Sequence, residues 1–265
     1  MPQPVPNHTP RPQHAPRARG SAINPANRYE SLSLDVLPQG GGHDDLIHEE
    51  PSPEIGPDGK RRVPTRVYRD HSRSVINPVD SPDLNFHWSI NPYRGCEHGC
   101  IYCYARPTHE NLGLSCGLDF ETRIFAKVDA PTILRRELAR PSWKGEPIMM
   151  AGVTDIYQPV ERTLKVTRGI LELFAAHGQP VAMVTKSALI LRDIDLLASM
   201  ARQDTAKVAI SLTTLDPELS MQMEPRGAAP AQRLRVIREL TGAGIPVAVL
   251  VAPVIPAITD REMPK

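Results

Sequence analysis

A charge of one sign is what this sequence most clearly lacks. Its 31 lysines and arginines meet 30 aspartates and glutamates, leaving a net +1 at neutral pH. Bulk electrostatics therefore point to neither a nucleic acid nor a membrane surface as partner. No apolar run is long enough to cross a bilayer. The N-terminus has no apolar stretch of the kind found in secretory signals. These gaps place the chain in the cytoplasm, where thiols stay reduced. Cysteine is scarce too, at four residues in 265. In a reducing compartment, so few thiols suggest metal binding or catalysis before disulfides.

What is present supports a folded core, because hydrophobic residues make up 40% of the chain. Its length suits one large α/β domain or two small ones. Residues 1–62 read as an extension rather than as core. Pro2, Pro4, Pro6, Pro10, Pro12 and Pro16 crowd its start, and Gly40-Gly41-Gly42 loosens its middle. Such a segment buries too little apolar surface to offset the entropy of ordering it. It is expected to be disordered or loosely docked, with Asn24–Leu34 the stretch most suited to docking. Arg11, Arg17, Arg19 and Arg28 all precede the first acidic residue, Glu30. That basic start reads as a solvated tail, with a nucleic-acid-binding arm as the alternative.

From Val63 to the end, short apolar runs alternate with helical patterns. Strands are expected over Phe86–Ile90, Thr122–Val128, Pro147–Gly152, Val181–Thr185, Val208–Leu212 and Val247–Ala252. Helices are expected over Thr132–Arg140, Leu164–Ala176, Ile190–Arg202 and Ala231–Thr241. Continuous apolar strands between amphipathic helices signal a parallel sheet covered by crossover helices. The fold class is α/β: a partial parallel (β/α) barrel over residues 63–265, with a doubly wound open sheet as the alternative. In both, function lies past the C-terminal ends of the strands. Thr154-Asp155, Lys186-Ser187 and Thr213-Thr214 occupy those places, and Ser211 lies inside a strand. The chain stops at Lys265, soon after its fifth parallel strand. That fits a fragment, truncated at its C-terminal end, or an unusually short member of its type.

The most informative segment runs from Asn91 to Ala105 and carries Cys96, Cys100 and Cys103 in the spacing C-x3-C-x2-C. Gly95 and Gly99 let the backbone turn sharply enough for three thiolates to converge. Thiolates are soft ligands that suit iron–sulfur clusters or zinc. A 4Fe–4S cluster normally takes four protein thiolates, so three local ones leave one iron open. Zinc held by these cysteines and His98 is the alternative, although zinc sites usually recruit a distant second pair that is missing here. Cys116, outside the trio, reads as a hydrogen donor, a second metal ligand or a small buried hydrophobe.

At these residues the chain resembles the radical S-adenosylmethionine superfamily, whose hallmark is C-x3-C-x-Φ-C with an aromatic Φ, here Tyr102. The resemblance covers roughly Asn85 to Ala257 and is closest to the branch related to spore photoproduct lyase. That branch shares the N-P-Y-x-G-C start, the C-Y-C-Y core and a T-D after the second strand. The resemblance implies that Cys96, Cys100 and Cys103 ligate three irons of a 4Fe–4S cluster and that S-adenosylmethionine chelates the fourth. One-electron cleavage of the sulfonium then yields a 5′-deoxyadenosyl radical that takes hydrogen from a substrate, which the sequence does not name. It implies a flavodoxin- or ferredoxin-like electron donor as partner.

The resemblance also suggests cofactor contacts: Tyr102 near adenine, Thr154 and Asp155 at the methionine ammonium, Lys186 at its carboxylate, and Ser211 on the fourth strand. Each has a plainer reading, as packing, a helix cap or a solvated strand end. Val251, Ala252 and Val254 are candidates for an adenine wall or for plain core, and Arg226 for a substrate anion or a solvated loop. One departure matters. Gly152 stands where the lyase carries its cysteine hydrogen donor, which supports the radical machinery but not the DNA-repair reaction itself. Lyase-like DNA repair, a metal-stabilised binding module and an inactive truncated copy remain the competing readings.

Overall fold

The computed structural model describes residues 19–28, 45–49 and 63–262. Of the expected N-terminal extension, residues 1–18, 29–44 and 50–62 lie outside the described residues, as do the arginines Arg11 and Arg17. The strands are β1 (Leu46–Glu49), β2 (Arg66–Arg69), β3 (Asn77–Pro78), β4 (Trp88–Ile90), β5 (Tyr93–Arg94), β6 (Arg123–Ala126), β7 (Ile148–Met150), β8 (Val181–Thr185), β9 (Ala206–Ser211) and β10 (Val247–Leu250). The helices are α1 (Leu118–Thr122), α2 (Ala130–Leu138), α3 (Glu161–Leu164), α4 (Val166–His177), α5 (Ile194–Ala201), α6 (Pro217–Met223) and α7 (Pro230–Gly242). Among the described residues, no helix is long and apolar enough to cross a membrane.

The main sheet has the order β10-β9-β8-β7-β4-β3. Strands β4, β7, β8, β9 and β10 are all parallel, and only β3 runs against its neighbour. Parallel neighbours need a crossover between them. Here α4 links β7 to β8, α5 links β8 to β9, and α7 returns to β10. The strands bury one face fully and the other in part, since buried positions alternate with half-buried ones along β7 and β8. Ile148, Met150, Val181, Met183, Val208 and Ile210 are all buried. Strand β10 differs, with Val249 and Leu250 exposed at the sheet edge. The architecture is that of a partial parallel (β/α) barrel, open at β3 and β10 among the described residues.

Register places the functional edge. Ile90 pairs with Met150 and Met150 with Met183. Thr185 pairs with Ile210, and Ser211 with Leu250. The C-terminal ends of five strands therefore open onto one side of the sheet. Helix α4 turns Ile170, Leu171 and Phe174 onto the core, at the spacing of one helical face. It begins at Val166 rather than at Leu164, because Lys165 adopts a left-handed conformation, φ 55°, that separates it from α3. The helix expected over Ile190–Arg202 is likewise divided. A tighter turn, Ala188–Asp193, starts on the Ser187 hydroxyl, which accepts from Leu189 N, and α5 follows.

A second sheet, β1-β2-β6-β5, stands apart from the expected parallel pattern. The strand expected over Thr122–Val128 forms as β6, but it pairs with β2 and β5 rather than joining the parallel sheet. Its partners are two to four residues long and come from distant parts of the chain. This sheet lies next to the cysteine loop, since Tyr93 and Arg94 of β5 lead straight into Cys96.

Close by, His109 is buried and stacks edge-on to Phe120, with ring centroids 5.4 Å apart. Its Nε2 lies 2.9 Å from Arg123 O, so that nitrogen carries the proton, and its Nδ1 has no partner. Burial lowers the ring's pKa from 6.5 to about 4. Between those values the unfolded chain binds the extra proton and the folded chain does not. Stability should therefore fall, by a few kcal/mol at most, as pH drops from about 6.5 towards 4. His109→Gln, which keeps a donor for Arg123 O, is expected to flatten that part of the profile in urea titrations at stepped pH.

Candidate functional site

The cysteine loop leaves β4 and is bound along its whole length. Asn91 Oδ1 accepts from Val153 N at 3.0 Å, joining the end of β4 to that of β7. Cys96 N donates to Phe120 O (2.9 Å), and Glu97 N to Gln158 Oε1 (2.9 Å). Gly95 and Gly99 have φ values of 79° and 66°, a region that costs residues with a Cβ. A Cβ on Gly95 would stand 2.8 Å from Phe120 O. Ile101 N donates to Met223 O at 3.0 Å, fastening the loop to α6. Arg106 places Nη2 2.9 Å and Nε 3.1 Å from Cys100 O, and Nη2 pairs with buried Glu121 at 2.6 Å.

Cys96 and Cys100 are buried, Cys103 is half-buried, and all are free thiols. Burial raises the Cys96 thiol well above its ordinary pKa, helped by the charges of Asp155, Cys100 and Cys103. Burial likewise pushes Cys100 up to about 12, against the opposing pull of Lys186 and with Glu224 and Cys103 adding to the rise. The charges of Cys100 and Cys103 thus reach Cys96, and that of Cys103 reaches Cys100. Thiolates kept in such surroundings call for a cation to offset them. Among the described residues, no three Cys, His, Asp or Glu side chains converge on a point for a single metal ion. His98, the ligand a zinc site would recruit, instead turns Nδ1 towards Asp155 Oδ2 at 3.2 Å. A cluster asks something else, because each thiolate meets a different iron across a wider space. The donor set fits a 4Fe–4S cluster on these grounds.

The other residues expected at the site gather round this loop. Thr154 Oγ1 donates to Gly95 O at 2.6 Å and accepts from Gln158 Nε2 at 3.1 Å. Asp155 accepts from Thr185 Oγ1 (2.7 Å), Tyr157 N (2.8 Å) and Lys186 N (2.9 Å). Burial alone would raise its pKa, but His98 and these hydrogen bonds hold it well below the usual carboxylate range. Lys186 extends from the end of β8, with Nζ 5.8 Å from the centre of the Tyr102 ring and 4.0 Å from Glu224 Oε1. Tyr102 OH donates to Glu224 Oε1, and Thr213 Oγ1 lies 2.9 Å from the same oxygen. Ser211 Oγ is buried without a hydrogen-bond partner.

Some residues that matter here carried no sequence signal. Glu224 is buried and pairs with Arg233, the largest fully buried side chain among the described residues. Burial would raise the Glu224 pKa, but Arg233 and Lys186 outweigh it and lower it. Arg233 Nη1 also donates to Ser211 O (3.0 Å), and Nε to Ala228 O (2.7 Å). Glu97, between two of the cysteines, is buried and accepts from Thr65 Oγ1 (3.1 Å), Val160 N (2.6 Å) and Arg226 Nη2 (3.2 Å). Arg226 thus braces the loop. Spacing cannot reveal such pairs, whose members lie up to 129 residues apart. Tyr104 is exposed and donates to Gly152 O. Val251 and Val254 are exposed past β10. Cys116 is half-buried, and its carbonyl accepts from Arg106 Nη1 at 3.4 Å.

A parallel (β/α) sheet with a three-cysteine loop at the C-terminal end of its first parallel strand defines a class of cluster-binding enzyme folds. The family model for the Radical SAM superfamily matches residues 90–265, and the chain belongs to that family. Membership implies a 4Fe–4S cluster and S-adenosylmethionine as cofactors. An uncharacterized protein of Mycobacterium tuberculosis, Rv2578c, is 41% identical over 189 residues, covering 71% of this chain and 56% of its own. An uncharacterized protein of Methanocaldococcus jannaschii, MJ0683, is 28% identical, covering 74% and 70% respectively. The chain therefore spans little more than half the length of the mycobacterial relative. Spore photoproduct lyase complexed with dinucleoside spore photoproduct has a similar fold, at TM-score 0.52 and 18% identity, over 72% of this chain and 51% of the lyase.

Proposed function

We propose that this chain is the catalytic core of a radical S-adenosylmethionine enzyme, with Cys96, Cys100 and Cys103 as the protein ligands of its cluster. The observation that carries the reading is the set of three free cysteines, two of them buried, on one loop at the C-terminal edge of a parallel sheet, with Lys186 at the end of strand β8 of that sheet. With both cofactors bound and an external one-electron donor of flavodoxin or ferredoxin type, the site supplies reductive cleavage of the sulfonium and a carbon radical that takes hydrogen from a substrate.

The chain's own residues orient and shield. The ammonium of Lys186, set over the Tyr102 ring, is the cationic partner for the methionine carboxylate. Ser211 Oγ, buried and without a partner, offers a hydroxyl to the cofactor. Tyr102, held by Glu224, presents a ring face to adenine. Thr154 and Asp155 use their oxygens on Gly95, Thr185 and Lys186, so they act on the cofactor by fixing the loop and the base of Lys186. The burial of Cys96 and Cys100 keeps bulk solvent from two of the sulfur ligands. Gly152 and the near-zero net charge favour a hydrogen-transfer reaction other than the lyase's DNA repair.

The test is anaerobic reconstitution with iron and sulfide, then addition of dithionite and S-adenosylmethionine. About three to four irons per chain and accumulation of 5′-deoxyadenosine by chromatography are expected. Zinc in place of iron, or a reducible cluster that releases no 5′-deoxyadenosine, would overturn the reading.

A further inference from the structure

Residues 19–28 lie against the cysteine loop, although nothing in the loop's own spacing calls for them. Gly20 meets Gly99, the residue before Cys100, so closely that a Cβ on Gly20 would stand 1.7 Å from Gly99 O. Three residues on, a Cβ on Gly117 would stand 2.0 Å from Ile23 O. Two backbones therefore press together at two points where only glycine fits. Buried Arg19 donates to Glu121 O (3.0 Å), Val63 O (2.7 Å) and Thr65 Oγ1 (3.0 Å). Gly20 N donates to Glu121 Oε2 at 2.9 Å. Asn24 and Asp119 exchange a pair of hydrogen bonds, both 2.9 Å. Arg28 binds Glu110.

These contacts lead to the ligands by two routes. Glu121 Oε1 holds Arg106, which holds Cys100 O. Thr65 Oγ1, the acceptor for Arg19, donates to Glu97 between Cys96 and Cys100. The segment thus braces both halves of the loop.

We propose that residues 19–28 form a positioning strap that holds the cysteine loop in its cluster-retaining shape, an inference that rests on the cluster reading above. Strap residues act through Gly99, Glu121 and Glu97 and are not catalytic. A loop that carries two left-handed glycines gains backbone freedom when a neighbour pressing on it is removed. Loss of the strap should free the loop and leave the parallel sheet intact.

The experiment compares the wild-type chain with Gly20→Val and Arg19→Ala, all full-length. In cluster-free protein, hydrogen exchange across residues 96–103 is expected to speed up about tenfold in both variants, while α4 and β8 keep their protection. After reconstitution, bleaching of cluster absorbance by a chelator is expected to be about tenfold faster. Wild-type protection and bleaching rates in both variants would overturn the strap. So would loss of the whole fold in both, since the segment would then support the core and not the loop. A wild-type chain that takes up no iron would overturn the cluster reading alone, because exchange in the cluster-free protein still reports on the strap.

Discussion

Cys100→Ala is expected to eliminate the visible absorbance of the reconstituted protein and to cut 5′-deoxyadenosine formation by at least about a hundredfold. Substitutions that merely surround a metal ligand cost about 10- to 100-fold, and this one removes a ligand. Cys100 is also a point where the loop is tied, since its carbonyl accepts two hydrogen bonds from Arg106. Those bonds use backbone atoms and survive the substitution. The cluster-free variant should therefore unfold within about 1 kcal/mol of wild type, so that chemistry is lost without the fold. Cys116→Ala should leave both absorbance and product near wild type, because that thiol stands outside the trio. Product from Cys100→Ala at more than a tenth of the wild-type amount would remove Cys100 from the ligand set.

Glu224→Ala is expected to cost about 3–5 kcal/mol, because it strands a buried guanidinium without its counter-charge. Arg233 and Glu224 are each about 1% exposed, so little solvent can compensate. In a protein of this size that corresponds to a fall of roughly 10 °C in the unfolding midpoint, readable by calorimetry. Lys186 also loses the carboxylate 4.0 Å from its ammonium, and Tyr102 loses its acceptor. Binding of S-adenosylmethionine should therefore weaken along with stability. The pair Glu224→Leu with Arg233→Met should be less destabilised than Glu224→Ala, since it leaves no orphaned charge. A double variant as unstable as the single one would show that the other contacts of Arg233, to Ser211 O and Ala228 O, dominate.

How far each element was legible follows from the range of its interactions. The parallel strands β7, β8, β9 and β10 were readable because each is a short apolar run between amphipathic helices, and β8 matches its expected limits, Val181–Thr185. The small second sheet was not, because β1, β2 and β5 are too short to show a period and find partners far along the chain. Helix α6 has no counterpart among the expected elements; it starts on Asp216, whose carboxylate accepts from Glu218 N and Leu219 N, a local cap in a segment with little periodicity. Thr154, Asp155 and Lys186 stood out because they follow expected strands, and Ser211 through the resemblance, whereas the hydrogen-bond partners the structure gives Thr154 and Asp155 lie far along the chain.

The spacing of Cys96, Cys100 and Cys103, the aromatic at Tyr102 and the alternation of strands and helices were determined by the sequence alone, since each is a relation between residues near one another in the chain. Tertiary structure decided what surrounds them: Glu224 set on Arg233, Arg226 on Glu97, and Gly20 pressed against Gly99. These pairings depend on which side chains meet once the sheet has assembled. Burial then assigns charge and hydrogen-bond roles that no linear pattern records.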